Sequence, residues 1–241
     1  MDETALLNRL SIPKSAWFLR NLPFNQLAQR LNPKQRKVVE ESIEAYGIRI
    51  LATITPRHTN ITAYEDEQEK YEEIHLYSIK LKDWQKQKEI YRILASLIPY
   101  PLAILFYQQD KQSWMLAKHH RHVDGVRLVT DTLYQSKPEI EDEAYIREFN
   151  FNQLNKTNLK LFYQSLIDAM VSLELKENYQ LDLKQVPKAE YLAQLTEIDK
   201  QIDSVQKQAR KETQMNQRLP LNMKIHQLKQ EKEKLIKELE Q

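Results

Sequence analysis

The chain has 241 residues, 41% apolar and 29% charged, enough for one ordinary core with an appendage or for two small domains. It has no cysteine, which excludes disulfides, thiol catalysis and cysteine-based zinc or iron–sulfur sites; its two glycines, Gly47 and Gly125, are too few for a glycine-rich phosphate loop. Lys and Arg number 36 against 34 Asp and Glu, so the net charge of +2 gives no argument for a dedicated nucleic-acid binder.

The chain opens on Met1-Asp2-Glu3, acidic and followed by too short an apolar run for a secretory signal. No stretch approaches the roughly 20 apolar residues that cross a bilayer, so the expectation is a cytoplasmic protein with no membrane partner. Residues 2–10 predict a short helix, broken by Pro13. Trp17, Phe18, Leu22, Phe24 and Leu27 are expected to pack on the core. Asn32-Pro33 reads as an N-cap followed by proline at the first helical position, opening a helix over 33–46 that Gly47 would end.

The period then becomes extended. Ile48 to Thr55 alternates and is rich in β-branched residues, which predicts a strand. Pro56 to Asn60 reads as a turn, and Glu65 to Glu72 as a solvated loop. Glu73 to Leu81 alternates again, with Ile74, Leu76, Ser78 and Lys80 on one face and His75, Tyr77, Ile79 and Leu81 on the other. Residues 83–97 predict an amphipathic helix. Leu102 to Tyr107 is a continuous apolar run, as in a strand buried on both faces. A turn at Asp110-Lys111 leads back into a strand over 113–119, and 126–133 predicts one more.

From about 152 the pattern is helical, with Leu154, Leu159, Phe162, Leu166, Ile167 and Met170 on one face. Beyond Pro187, Tyr191, Leu195, Ile198, Ile202, Val205 and Ala209 alternate spacings of four and three, a heptad seam. Leu221, Ile225, Leu228, Leu235 and Leu239 repeat it, with Lys232 in the one polar slot. Pro220 separates the two, so the expectation is a helical hairpin or a sharply kinked helix, about 30 to 40 Å long at 1.5 Å per residue. The whole reads as an α+β chain, a small mixed sheet flanked by helices and followed by a helical or coiled-coil arm. Its expected divisions are a core over 1–150, a helical connector over 151–187 and the arm over 188–241.

Several strings occur in order: Ile12-Pro13-Lys14, Thr55-Pro56-Arg57-His58-Thr59-Asn60-Ile61, Glu73-Ile74, Ile98-Pro99-Tyr100-Pro101, Leu116-Ala117-Lys118 and Met215-Asn216-Gln217-Arg218-Leu219-Pro220-Leu221-Asn222. Together they resemble the bacterial domain-of-unknown-function family numbered 4391, over nearly the whole chain. The resemblance implies an accessory protein of helicase and DNA methyltransferase loci, similar to restriction or antiphage defence systems, rather than a particular reaction.

Four candidate sites stand out. A PD-(D/E)XK-type nuclease would need acids converging on a divalent cation beside a lysine. Glu40 or Glu41, Glu73 and Lys80 or Lys118 are the available groups, but the Glu-x-Lys step is missing after Glu73. Lys118-His119-His120-Arg121-His122 could begin a metal site with Asp124, or grip an anion together with Arg57, His58 and Arg127. Solvated histidines at a strand end are the structural alternative. Thr55 to Asn60 could contact a ligand from a loop, or satisfy its own backbone as a Ser/Thr turn. The arm could fold on itself, pair with a copy, or dock on a partner.

The expectation for function is a non-catalytic subunit with no cofactor and no metal. Arg57, His58, Thr59, Asn60, Lys118, His120 and Arg121 would form a polar recognition surface. The arm, through Leu195, Ile198, Ile202, Val205, Leu221, Ile225, Leu228 and Leu235, would meet a helicase or methyltransferase subunit or a second copy, with nucleic acid a further potential partner. The rival readings are a divergent metal-dependent nuclease and a non-catalytic DNA-binding domain.

Overall fold

The alternating segments gather into one mixed sheet of six strands, seen in a computed structural model that describes residues 2–123, 128–137, 142–181 and 188–239. The chain divides into two compact units, Met1–Met170 and Val171–Gln241. Among the described residues no helix is long and apolar enough to cross a membrane.

In the first unit, Asp2 caps α1 (Glu3–Arg9) by accepting the amides of Thr4 and Ala5 at 3.0 and 3.1 Å. A 3₁₀ turn over Lys14–Ala16 leads into β1 (Trp17–Asn21) and the short α2 (Phe24–Ala28). β1 is an edge strand. Phe18, expected in the core, is instead 42% exposed there, with the Arg20 guanidinium 5.1 Å over its ring.

Asn32 and Gln35 close a reciprocal capping box on α3 (Pro33–Ser42), which bears out the Asn-Pro start. The helix stops four residues before the expected Tyr46. β-branched Ile43 takes extended geometry and pairs with Leu81, opening β2 (Ile43–Ile54). Gly47 therefore lies in a strand irregularity and caps no helix.

One helical turn, α4 (Pro56–Thr59), and the small hairpin of β3 (Tyr64–Glu65) and β4 (Lys70–Tyr71) follow. Then come β5 (Ile74–Leu81), α5 (Gln87–Leu97), β6 (Leu102–Gln108), β7 (Lys111–Arg121) and β8 (Leu128–Gln135). The sheet order is β1-β2-β5-β6-β7-β8, and every neighbouring pair is antiparallel except β5 and β6, which α5 connects in parallel.

The alternation read in β5 sets its two faces. Tyr77, Ile79 and Leu81 join Val39, Ile90, Leu94, Ile104, Phe106 and Met115 in one buried cluster. Ile74 and Leu76 meet Leu10, Ala103, Trp114, Phe149 and Phe162 on the other. Each wholly buried Ile, Leu or Phe contributes roughly 1.5–3 kcal/mol. Phe149 follows α6 (Asp142–Glu148), an element the sequence reading did not anticipate; Phe162 belongs to α7 (Leu159–Tyr179). The expected helical start near 152 is delayed to Leu159, because the Asn155 side chain accepts the Thr157 amide and Asn158 caps α7 by accepting the Leu161 amide, each at 2.9 Å.

The second unit holds the end of α7 with α8 (Lys188–Lys211) and α9 (Met215–Leu239), two antiparallel helices joined by a short turn. At 1.5 Å per residue each spans roughly 36 Å. Pro220 does not separate helices, as its position between the seams suggested; it lies in the second turn of α9. There the missing N–H costs only the bond to the Asn216 carbonyl, on an exposed stretch where water can replace it.

Candidate functional site

The strand registers bring the ends of β2, β7 and the starts of β5 and β6 to one end of the sheet. The polar residues singled out from sequence therefore share that end. They do not form one cluster: α4 and the end of β7 lie three strand spacings apart, roughly 14 Å.

On the α4 side, Thr55 is the N-cap, accepting the His58 amide at 3.2 Å, and Asn60 ends the turn at φ 58°. The Thr59 hydroxyl donates to the Thr55 carbonyl at 2.8 Å, and Ser15 donates to the His58 carbonyl at 2.6 Å. His58 Nδ1 lies 3.3 Å from the Thr53 carbonyl. The hydroxyls and the imidazole thus serve the backbone, while Arg57 and Asn60 stay exposed.

On the β7 side, Lys118 and His120 are exposed and His119 is buried. A register shift after Lys118 leaves Asp131 as the extra residue on β8, and its carboxylate meets His120 Nδ1 at 2.6 Å. Burial pushes the His119 imidazole down to about 4, a shift that Asp131 opposes. The Arg121 side chain, Asp124 and Arg127 lie outside the described residues, and so does Pro187.

Between these two sides lies a layer of rings that single residues did not reveal. His75 Nε2 donates to the Glu73 carboxylate at 2.8 Å, and the ring packs 4.8 Å from the Tyr100 ring. Burial lowers its affinity for a proton. Tyr91 and Tyr163 approach His119 from α5 and α7, with ring centroids 6.4 and 6.3 Å away. Lys160 of α7 pairs with Glu69 and sits 4.5 Å over the Tyr64 ring, which fixes the β3–β4 hairpin beside this layer.

The candidate nuclease groups do not converge. Glu40 is held by Arg36 at 2.8 Å and Glu41 by Lys37 at 3.8 Å on α3, Glu73 is engaged by His75, and Lys80 and Lys118 lie toward opposite ends of the sheet. Among the described residues no three His, Asp or Glu side chains gather as a metal site would require.

In the second unit, Leu195, Ile198, Ile202, Val205 and Leu228 are buried, with Leu221, Ile225 and Leu235 packed beside them. One departure lies in the first turns of α8, where Leu192, and not Tyr191, takes the first buried place. Seven of the eight residues named for the arm, Ile198, Ile202, Val205, Leu221, Ile225, Leu228 and Leu235, therefore pack together between α8 and α9, and the eighth, Leu195, is buried outside that cluster. The residues that α9 leaves outside are Met215, Leu219 and Met223, exposed by 82%, 62% and 59%.

No curated protein and no solved structure matches the chain. A family model described as "Domain of unknown function (DUF4391)" matches residues 10–231, and the chain belongs to that family.

Proposed function

We propose that the chain is a non-catalytic accessory subunit that couples to a protein partner through the turn end of the α8–α9 hairpin. One observation carries the reading: α9 is apolar on two opposite sides. Its seam packs on α8, and Met215, Leu219 and Met223, four residues apart, form a second stripe roughly 160° around the helix at 3.6 residues per turn. Exposed methionines and leucines in a row, where a solvated face would carry charge, mark a surface that another protein covers.

The partner's chemistry follows from the charges around that stripe. Between positions 207 and 229 the chain carries Lys207, Arg210, Lys211, Arg218, Lys224 and Lys229 against the single acid Glu212. A partner surface with apolar anchors and acidic flanks is complementary to it. The resemblance described above points to a helicase or methyltransferase subunit of a bacterial restriction-like or antiphage system. In that reading Arg57, Asn60, Lys118 and His120 supply polar recognition from the sheet end.

The test is co-expression of the full chain with the helicase or methyltransferase encoded beside it, followed by size-exclusion chromatography with light scattering. A complex that survives nuclease treatment and is lost on Met215→Ser/Leu219→Ser/Met223→Ser supports the reading. Plasmid cleavage by the purified chain with Mg²⁺ or Mn²⁺, or a complex that dissolves on nuclease treatment, overturns it in favour of the nuclease or the DNA binder.

A further inference from the structure

The register of β2 on β5 slips between Ile43 and Ile48, so Glu44, Ala45, Tyr46 and Gly47 stand opposite Lys80 alone. Such an irregularity is held at a cost. Tyr46 has φ 58°, a conformation that bulky side chains rarely adopt, and its ring is 84% exposed. Gly47 closes the loop so tightly that a Cβ there would lie 2.7 Å from the Glu44 carbonyl and 2.8 Å from that of Lys80.

The loop forms the wall of a cavity of about 450 Å³ at the end of β5. That volume is in the range of small-molecule sites, roughly 300–1,000 Å³. Its floor is apolar, made by Leu22, Phe24, Val39, Ile43 and Ile48. Its rim carries Glu40, Glu44, Tyr46 and Lys82. The Glu40 carboxylate is engaged by Arg36 at 2.8 Å, and the Lys82 ammonium donates to the Glu40 carbonyl at 3.0 Å. Among the described residues nothing bonds the Glu44 carboxylate or the Tyr46 hydroxyl.

We propose that this cavity binds a small amphipathic amine, with an apolar or aromatic body on the floor and a protonated amino group between the Glu44 carboxylate and the Tyr46 ring. The uncommitted groups at the rim are an anion and an aromatic face, and both favour a cation. A neutral ligand of the same shape covers Glu44 without pairing it, and an anionic one brings a second negative charge beside Glu44, the Lys82 ammonium being directed at the Glu40 carbonyl. The strained loop is what carries Glu44 and Tyr46 to the rim, which accounts for retaining it.

The probe is 2-phenylethylamine, protonated at neutral pH, with 2-phenylethanol and 3-phenylpropionate as neutral and anionic counterparts, titrated into the ¹⁵N-labelled full chain. Only Gly125 shares the glycine region with Gly47, so the Gly47 amide is a clean reporter. The expected result is a saturable Gly47 shift with the amine, at least fivefold tighter than with the alcohol and absent with the carboxylate. Glu44→Gln should reduce the amine to the level of the alcohol, with the rest of the spectrum unchanged. Tyr46→Gly should raise the thermal midpoint by relieving φ, yet weaken the amine several-fold. No saturable shift, equal binding of amine and alcohol, or full amine affinity in Glu44→Gln overturns the proposal.

Discussion

Lys232 of α9 reaches the Asp199 carboxylate of α8 at 2.6 Å, from the one slot of the seam that lacks an apolar side chain. The Tyr179 hydroxyl, from the end of α7, donates to the same carboxylate at 2.9 Å, and the Lys232 ammonium lies 4.9 Å from the Tyr179 ring centre. Burial, and then the Asp199 bond, raise the Tyr179 hydroxyl to about 12. A polar contact within an apolar seam fixes helix register more than it stabilises. Lys232→Leu is therefore expected to be neutral or slightly stabilising in urea denaturation. Asp199→Ala, which leaves the ammonium without its partner, should cost about 1–2 kcal/mol, a moderate figure because both groups are partly solvated. A double-mutant cycle reads the coupling directly.

Gly47→Ala is expected to destabilise the first unit by about 1–3 kcal/mol. The new methyl group would meet two backbone carbonyls within 2.8 Å, and neither can move without opening the pairing of β2 on β5. The measurement is the urea midpoint at constant m-value.

Tyr91 and Tyr163 both donate to the Leu102 carbonyl, at 3.0 and 2.9 Å, but only Tyr163 also accepts the Ala117 amide, at 3.2 Å. The two Tyr→Phe substitutions should therefore differ. Tyr91→Phe leaves Leu102 with a donor and is expected to cost less than about 1 kcal/mol. Tyr163→Phe strands a buried amide and should cost about 1–3 kcal/mol. Chemical denaturation of the two variants decides it, and equal losses would count against this division of roles.

Acidification should weaken the fold through its buried histidines. His119 binds a proton near 6.5 when exposed and near 4 in the folded chain, mainly because burial disfavours the cation. Its surroundings include Tyr91, Tyr163, Thr130, Asp131 and the neighbouring His120. Because the unfolded chain takes up the proton first, the stabilisation is complete above about pH 6.5 and is lost as the pH falls toward 4. Between pH 7 and pH 5 the loss from this residue is on the order of 2 kcal/mol. His75 is shifted in the same direction by burial and adds to it. His119→Gln should flatten this part of the stability profile, and an unchanged slope would contradict the assignment.

What was legible in the sequence was local. The alternation of β5, the unbroken apolar run of β6 and the seam of α8 and α9 each record a face that must be buried, and apart from Tyr191, whose place Leu192 takes, those faces are the buried ones. What was not legible depended on partners distant in the chain. Gly47 looks like a helix stop until Ile43 is seen to pair with Leu81. Pro220 looks like a break until the cost of one exposed carbonyl is set against the packing of Leu221, Ile225 and Leu228 on α8. The charged strings at 57–60 and 118–121 could be read, but only the strand order shows that they share a sheet end without touching. The stripe at Met215, Leu219 and Met223 could have been found from its spacing of four, had the second face of α9 been sought beside the first.

In the proposed coupling, Met215, Leu219 and Met223 are the anchor of the partner contact. Calorimetric titration of the partner subunit with the wild-type chain, with Met215→Ser/Leu219→Ser/Met223→Ser, and with a control triple at the exposed Gln194, Gln201 and Gln208 would test it. The expected result is a loss of at least a hundredfold in affinity for the stripe variant at unchanged helicity, and no change for the control. Equal affinities for wild type and stripe variant would contradict the central claim.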